Sequence, residues 1–187
     1  QKYTHKFRKP WSFNHKYKNA EFIPAHKIKP GDYLIIPKNY KKIKNNKIDI
    51  KKYTSKNNIK QIGDNLILFS TSPLIPRYIY LNEELSGLFG LFVAEGSSCS
   101  SGISICMNKS KEQEYLAFTE YCLKKYFNLK TSRVPHKTDD SEEVRSNSRI
   151  ISDFFANCSG KGAYNKKIPD FILNSSRKNK ISFLEKL

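Results

Sequence analysis

The run Leu85 to Gly96, LSGLFGLFVAEG, constrains this chain more than any other stretch of its 187 residues. Its apolar residues are too continuous for a surface helix. Ser86, Gly90 and Ala94 recur every fourth position, which puts three small side chains on one helical face. Such a face is a shallow groove, flanked here by Leu88, Phe89, Leu91 and Phe92, into which another backbone can come close. Gly87 and Gly90 each cost a helix about 1 kcal/mol relative to alanine, so they imply a compensating contact. Close packing of two helices supplies it. Gly96 reads as a left-handed terminator that leaves the Glu95 carboxylate at the helix tip, where an acid can hold a metal ion.

Leu88 to Gly96 resembles, position for position, the nine-residue motif of the LAGLIDADG homing endonucleases. The resemblance implies two such helices packed side by side, with Ser86, Gly87, Gly90 and Ala94 at their interface. It implies that the acid in the eighth position, Glu95, binds Mg2+ or Mn2+ together with the backbone carbonyl of Ala94. Glutamate in place of aspartate keeps an oxygen donor suited to magnesium. Asn157 to Ile172, NCSGKGAYNKKIPDFI, is similar to the segment preceding the second helix in double-motif members. There a lysine stands beside the cleavage centre, where its charge can stabilise the pentacovalent phosphate. Lys166 fits that place best, and Lys167 is the alternative.

Phe183 to Leu187, FLEKL, resembles the opening of a second motif, with Lys186 where the family has glycine. Glu95 follows Leu88 by seven positions, and the same step from Leu184 falls beyond Leu187. The chain therefore reads as a fragment holding half of an active site. A pseudo-symmetric second half in missing C-terminal sequence, or a homodimer, would complete it.

A second resemblance precedes the first. Ala20 to Lys38, AEFIPAHKIKPGDYLIIPK, is similar to the late β-rich part of intein splicing (Hint) domains. Pro30, Gly31 and Asp32 provide a turn before a strand over Tyr33–Ile36, and Pro37 closes it. His5 reads as a remnant of the splicing histidine, but neither a splicing nucleophile nor a terminal His-Asn is present. The resulting division is a partial Hint-like segment over 1–40, a basic linker or DNA-contacting arm over 41–80, and an endonuclease domain over 81–187. Asn39 to Asp64, rich in Lys and Asn with few apolar anchors, is expected to be a loop.

Thirty-four Lys plus Arg against 17 Asp plus Glu give a net charge of +17, which favours partners made of phosphate. Double-stranded DNA is the expected partner. No apolar run reaches the ~20 residues that span a bilayer, which excludes a membrane role. Cys99, Cys106, Cys122 and Cys158 form no C-x-x-C pair and have no histidine at zinc-site spacing, and His15, His26 and His136 look equally isolated. Free thiols point to a soluble, intracellular protein of the cytoplasm or nucleus.

Periodicity places a strand over Gly102–Asn108, a helix over Lys111–Phe127, strands over Thr131–Pro135 and Glu143–Asn147, and a helix over Arg149–Asn157. The expected class is α+β: an αββαββα domain with a saddle-like antiparallel sheet. If Val134 and Val144 face the helices, then Ser104, Asn108, Thr131, Arg133, Arg145 and Asn147 face away, on a surface fit for the major groove. Lys167 joins them as a DNA contact. The chain is thus expected to be an intein-encoded, site-specific endonuclease making metal-dependent double-strand cuts. The alternative is a catalytically decayed or maturase-like nucleic-acid-binding domain of the same fold.

Overall fold

The computed structural model describes residues 24–30, 46–55 and 58–187. The chain forms two compact units, 1–39 and 40–187. In the first, the described residues make a short 3-10 turn, Ala25–Lys27. His5 and the strand expected over Tyr33–Ile36 lie outside the described residues.

The second unit begins with strands β1 (Lys47–Asp49), β2 (Lys60–Ile62), β3 (Asn65–Ile67), β4 (Ile75–Pro76) and β5 (Tyr78–Tyr80). There follow helix α1 (Glu83–Glu95), strands β6 (Gly96–Ser98) and β7 (Ile103–Asn108), helix α2 (Gln113–Phe127), strands β8 (Ser132–Pro135) and β9 (Ser141–Ser146), and helices α3 (Arg149–Ser159), α4 (Asp170–Leu173) and α5 (Arg177–Glu185). The fold is α+β with antiparallel sheets, and the largest sheet runs β6-β7-β9-β8.

Helix α1 starts where Asn82, extended and outside the helix, accepts the Leu85 N–H at 2.9 Å. Glu83 and Glu84 in its first turn suit the positive end of the helix dipole. Glu84 is anchored further by Lys125 Nζ at 2.5 Å and the Tyr126 hydroxyl at 2.6 Å, both from α2. Every residue from Leu85 to Phe92 is buried. Around them Phe89 stacks on Phe155 (ring centroids 4.8 Å), and Phe92 lies 4.6 Å from the same ring. Phe127 and Phe154 complete an aromatic core between α1, α2 and α3.

The stretch expected as a loop over Asn39–Asp64 is, in its described part, folded into this unit. β1 pairs with β5, Ile48 opposite Ile79, and Ile50 is fully buried. Tyr53 sets its ring edge-on to Phe154 and Phe171. The loop expectation counted polar residues and missed how few anchors are needed. Three apolar side chains suffice once Asp49 is clamped by Arg77, at 3.1 and 2.9 Å.

Gly96 also differs from expectation. Its backbone is extended (φ −81°), and the chain passes from helix directly into β6. Glycine is required there because any Cβ would collide with Phe92.

Candidate active site

The seam expected along α1 is occupied by α5. Gly90 lies so close to the Phe183 carbonyl that a Cβ would collide with it, and Lys186 backbone and Cβ atoms would stand 3.2 Å away. One turn earlier, a Cβ on Gly87 would meet Lys186 Cγ and Ser182 Oγ at 3.3 Å. Ser182 ties the helices together by donating its hydroxyl to the Glu83 carbonyl at 2.7 Å. Lys186 runs its side chain past Gly87 and rests its ammonium 4.1 Å from the centre of the Tyr115 ring. Ser86 is buried with its hydroxyl turned onto its own helix, donating to Asn82 O at 2.6 Å. Ala94 is exposed, past the part of α1 that α5 covers.

Glu95 is exposed at the last position of α1, and among the described residues its carboxylate makes no hydrogen bond or ion pair. It borders a cleft of about 340 Å³ shared with Glu112, Asp139, Asp140, Cys106 and Asn108. The concentration of acids is notable in so basic a chain.

Lys166 arrives from the other side. Gly160 ends α3 at φ +82°, a conformation glycine adopts without strain, and turns the chain so that residues 163–166 return to the tip of α1. There the Lys166 ammonium donates to the carbonyls of Phe92 and, at 2.7 Å, of Gly96. The Phe92 carbonyl, which also accepts the Gly96 N–H, and the Gly96 carbonyl thus hold the ammonium at the helix end. Its nitrogen also sits 4.0 Å from the centre of the Phe92 ring. Burial lowers its pKa to about 8, while the Glu95 charge works in the opposite sense. Lys167 is exposed, and its backbone N–H donates to the Ser159 carbonyl at 2.9 Å.

The sheet distributes the remaining expected residues unequally. Ile103, Ile105, Met107 and Val144 face the helices and are buried. Ser104 and Arg145, paired across β7 and β9, therefore face outward. Thr131, Arg145 and Asn147 line one broad groove of about 1110 Å³, together with Lys124 and Lys130.

Arg133 does not join them. The register pairs it with Val144, so it points to the helix side, where it bonds Glu120 and Gln113 of α2 at 2.8 Å each. Val134 takes the outward place opposite Glu143. Reading both valines as inward set β8 out of phase by one residue, the step that inverts every side chain of a strand. Asn108 faces out, but its side-chain oxygen accepts the N–H groups of Ser110 (3.1 Å) and Lys111 (2.8 Å). Pairing with adenine would require breaking that turn.

Cys106 and His136, expected to be isolated, are neighbours. Cys106 on β7, Glu143 on β9 and His136 just after β8 bring their donor atoms within 4.8 Å of one another. Alternation alone placed Cys106 outward; only the strand register reveals its neighbours.

Among the described residues no helix is long and apolar enough to cross a membrane. No protein-family model matches the chain. It is 34% identical over 164 residues to an uncharacterized protein of Methanocaldococcus jannaschii, covering 84% of this chain and 19% of that protein. It is 30% identical over 113 residues to an ATP-dependent DNA helicase of Thermococcus kodakarensis, covering 60% of this chain and 10% of the helicase. The chain thus spans about a fifth and a tenth of the length of these relatives.

Proposed function

We propose that the chain carries one catalytic half-site of a LAGLIDADG-type, intein-encoded DNA endonuclease that hydrolyses phosphodiester bonds in duplex DNA with a divalent metal. The observation that carries this reading is the juxtaposition at the tip of α1. Gly90 meets α5 backbone to backbone, and beyond the seam Glu95 presents an unpartnered carboxylate beside the Lys166 ammonium. A glycine seam ending in an acid and a lysine serves the burial of a helix poorly. It serves the assembly of charge at one point well.

The residues present suit magnesium or manganese. Glu95 offers an exposed oxygen donor, the backbone carbonyl of Ala94 is the second donor in this reading, and the cleft adds further carboxylates. The ion would supply Lewis acidity toward a bridging phosphate and charge for the departing oxygen. Lys166, protonated at neutral pH, holds positive charge where the phosphate gathers negative charge. Arg145, Asn147, Thr131, Lys124 and Lys130 give the groove that would follow the DNA backbone and read base edges. Ser104 beside Arg145 extends that surface.

The relatives are compatible with an inserted element. A segment that makes up about a tenth of a DNA helicase and a fifth of another long protein is the pattern a mobile module leaves in its hosts. The chain carries no G-x-x-x-x-G-K-[ST] run, so the helicase's use of ATP is not proposed for it. Cutting both strands requires a second carboxylate, from a continuing chain or a second copy.

The test is incubation with a plasmid library of randomised targets, with Mg2+ or with chelator, followed by sequencing of the ends produced. Metal-dependent nicking at a preferred sequence, lost in Glu95→Gln, is expected. Sequence-preferring binding without nicking would instead assign the decayed or maturase-like reading.

A further inference from the structure

We propose that Cys106, His136 and Glu143 form a binding site for one zinc-class transition-metal ion on the outer face of the sheet, with donors other than Glu95 although Cys106 borders the same cleft. Two donors lie on the neighbouring strands β7 and β9, and the third on the residue that follows β8. Cys106 is the register partner of Glu143, and the backbone N–H of His136 donates to the Ser141 carbonyl at 2.9 Å, which holds residue 136 beside β9. Thiolate, imidazole and carboxylate are the three ligand types that zinc accepts, and three protein ligands leave a fourth tetrahedral position to water. A tetrahedron with S at about 2.3 Å and N or O at about 2.0–2.1 Å sets donors roughly 3.3–3.7 Å apart. The observed donors, all within 4.8 Å, need move by an ångström or less.

The surroundings orient the donors. Glu143 Oε2 accepts from Arg145 Nε at 2.6 Å, which fixes the carboxylate and leaves Oε1 toward His136 Nε2 at 2.9 Å. Arg145 beside it, with His136 adding to the effect, holds the Glu143 carboxyl below its usual range, so it is ionised at neutral pH. The other imidazole nitrogen, Nδ1, lies 3.9 Å from Asp139 Oδ1. A small closure makes this the carboxylate–histidine–metal arrangement that fixes the tautomer with Nε2 free to coordinate. On binding, the metal takes the place of the proton between His136 Nε2 and Glu143, the neutral imidazole carrying its one proton on Nδ1 toward Asp139, and the Cys106 thiol gives its proton to solvent as the S–metal bond forms. No electron changes hands. A sulfur and a nitrogen donor select zinc-class ions over magnesium, so this inference stands whether or not the chain cuts DNA.

The experiment is titration of the 187-residue chain with Co2+, followed by optical absorption. One equivalent should produce a thiolate-to-cobalt charge-transfer band with the visible bands of a tetrahedral ion. Zn2+ should bleach both at stoichiometric amounts, and millimolar Mg2+ should not. Cys106→Ser removes the charge-transfer band with the circular dichroism unchanged, Asp139→Asn weakens binding about 10–100-fold, and Cys99→Ser, at the exposed cysteine, leaves it intact. Absence of the band in the unaltered chain overturns the site. So does a band that survives Cys106→Ser or depends on Cys99.

Discussion

Gly90 of α1 rests against the backbone carbonyl of Phe183 of α5, in a space that admits no side chain. In an isolated helix Gly90→Ala would gain about 1 kcal/mol. Here the methyl group must push two backbones apart, and overpacking of that kind costs about 1–3 kcal/mol. The net expectation is destabilisation on the order of 1 kcal/mol in urea unfolding. Gly87→Ala meets only side-chain atoms, at 3.3–3.4 Å, and should be near neutral. A Gly90→Ala chain as stable as the original would dissolve the seam.

Arg133 and Arg145 should separate stability from binding. Arg133→Ala loses the partners on α2, and a partly exposed pair of this kind is worth about 0.5–1 kcal/mol, while duplex affinity should hold. Arg145→Ala should leave the melt nearly unchanged and weaken binding. It should lower the slope of log K against log salt by about 1 if the contact is to phosphate, or relax preference at one base pair if it is to guanine. Fluorescence anisotropy across a salt series, beside thermal melts, reads both. The opposite assignment of effects would place Arg133 on the DNA.

What the sequence made legible follows the length over which its patterns repeat. Helix α1 spans more than three turns of apolar residues with glycines at one face, and the elements from β7 to α3 begin and end within two residues of expectation. β8, SRVP, is four residues long, too short to fix its own phase, and its single arginine and single valine leave either free to be the inward residue. The cap of Asn108 on its own turn and the meeting of Cys106 with His136 depend on cross-strand register, which no local pattern encodes. The order of residues 46–80 was hidden for a different reason. Isolated apolar residues in a lysine-rich stretch resemble solvent-facing accidents until a partner strand supplies the other half of the contact.

Asp49 and Arg77 join β1 to the chain ahead of β5, and the arginine holds the Asp49 carboxyl below its ordinary value of 3.8. A carboxyl lowered in the folded state contributes stability that is full above its unfolded pKa and is lost as pH falls through the folded one. Arg77→Met should therefore lower stability at neutral pH and flatten its decline on acidification below about pH 4. Unfolding curves for the two chains that stay parallel down to pH 2 would show the pair to be inert.

Lys166 offers the sharpest pH test, because its pKa of about 8 falls inside the working range of an enzyme. The ammonium is charged below that value and neutral above it. If its charge steadies the phosphate, nicking at saturating Mg2+ declines as pH rises through about 8. Lys166→Met then removes most activity at every pH. Lys166→Arg, which keeps its charge, retains partial activity without the decline. Stability moves in the other direction. The folded pKa lies below the unfolded one, so between about pH 8 and the ordinary lysine value of 10.5 the unfolded chain binds more protons. Over that window the unaltered chain should gain stability relative to Lys166→Met, which has no proton to lose. A nicking rate that instead rises through pH 8 would mean that the neutral amine takes a proton from the attacking water, and the role given to its charge would be wrong.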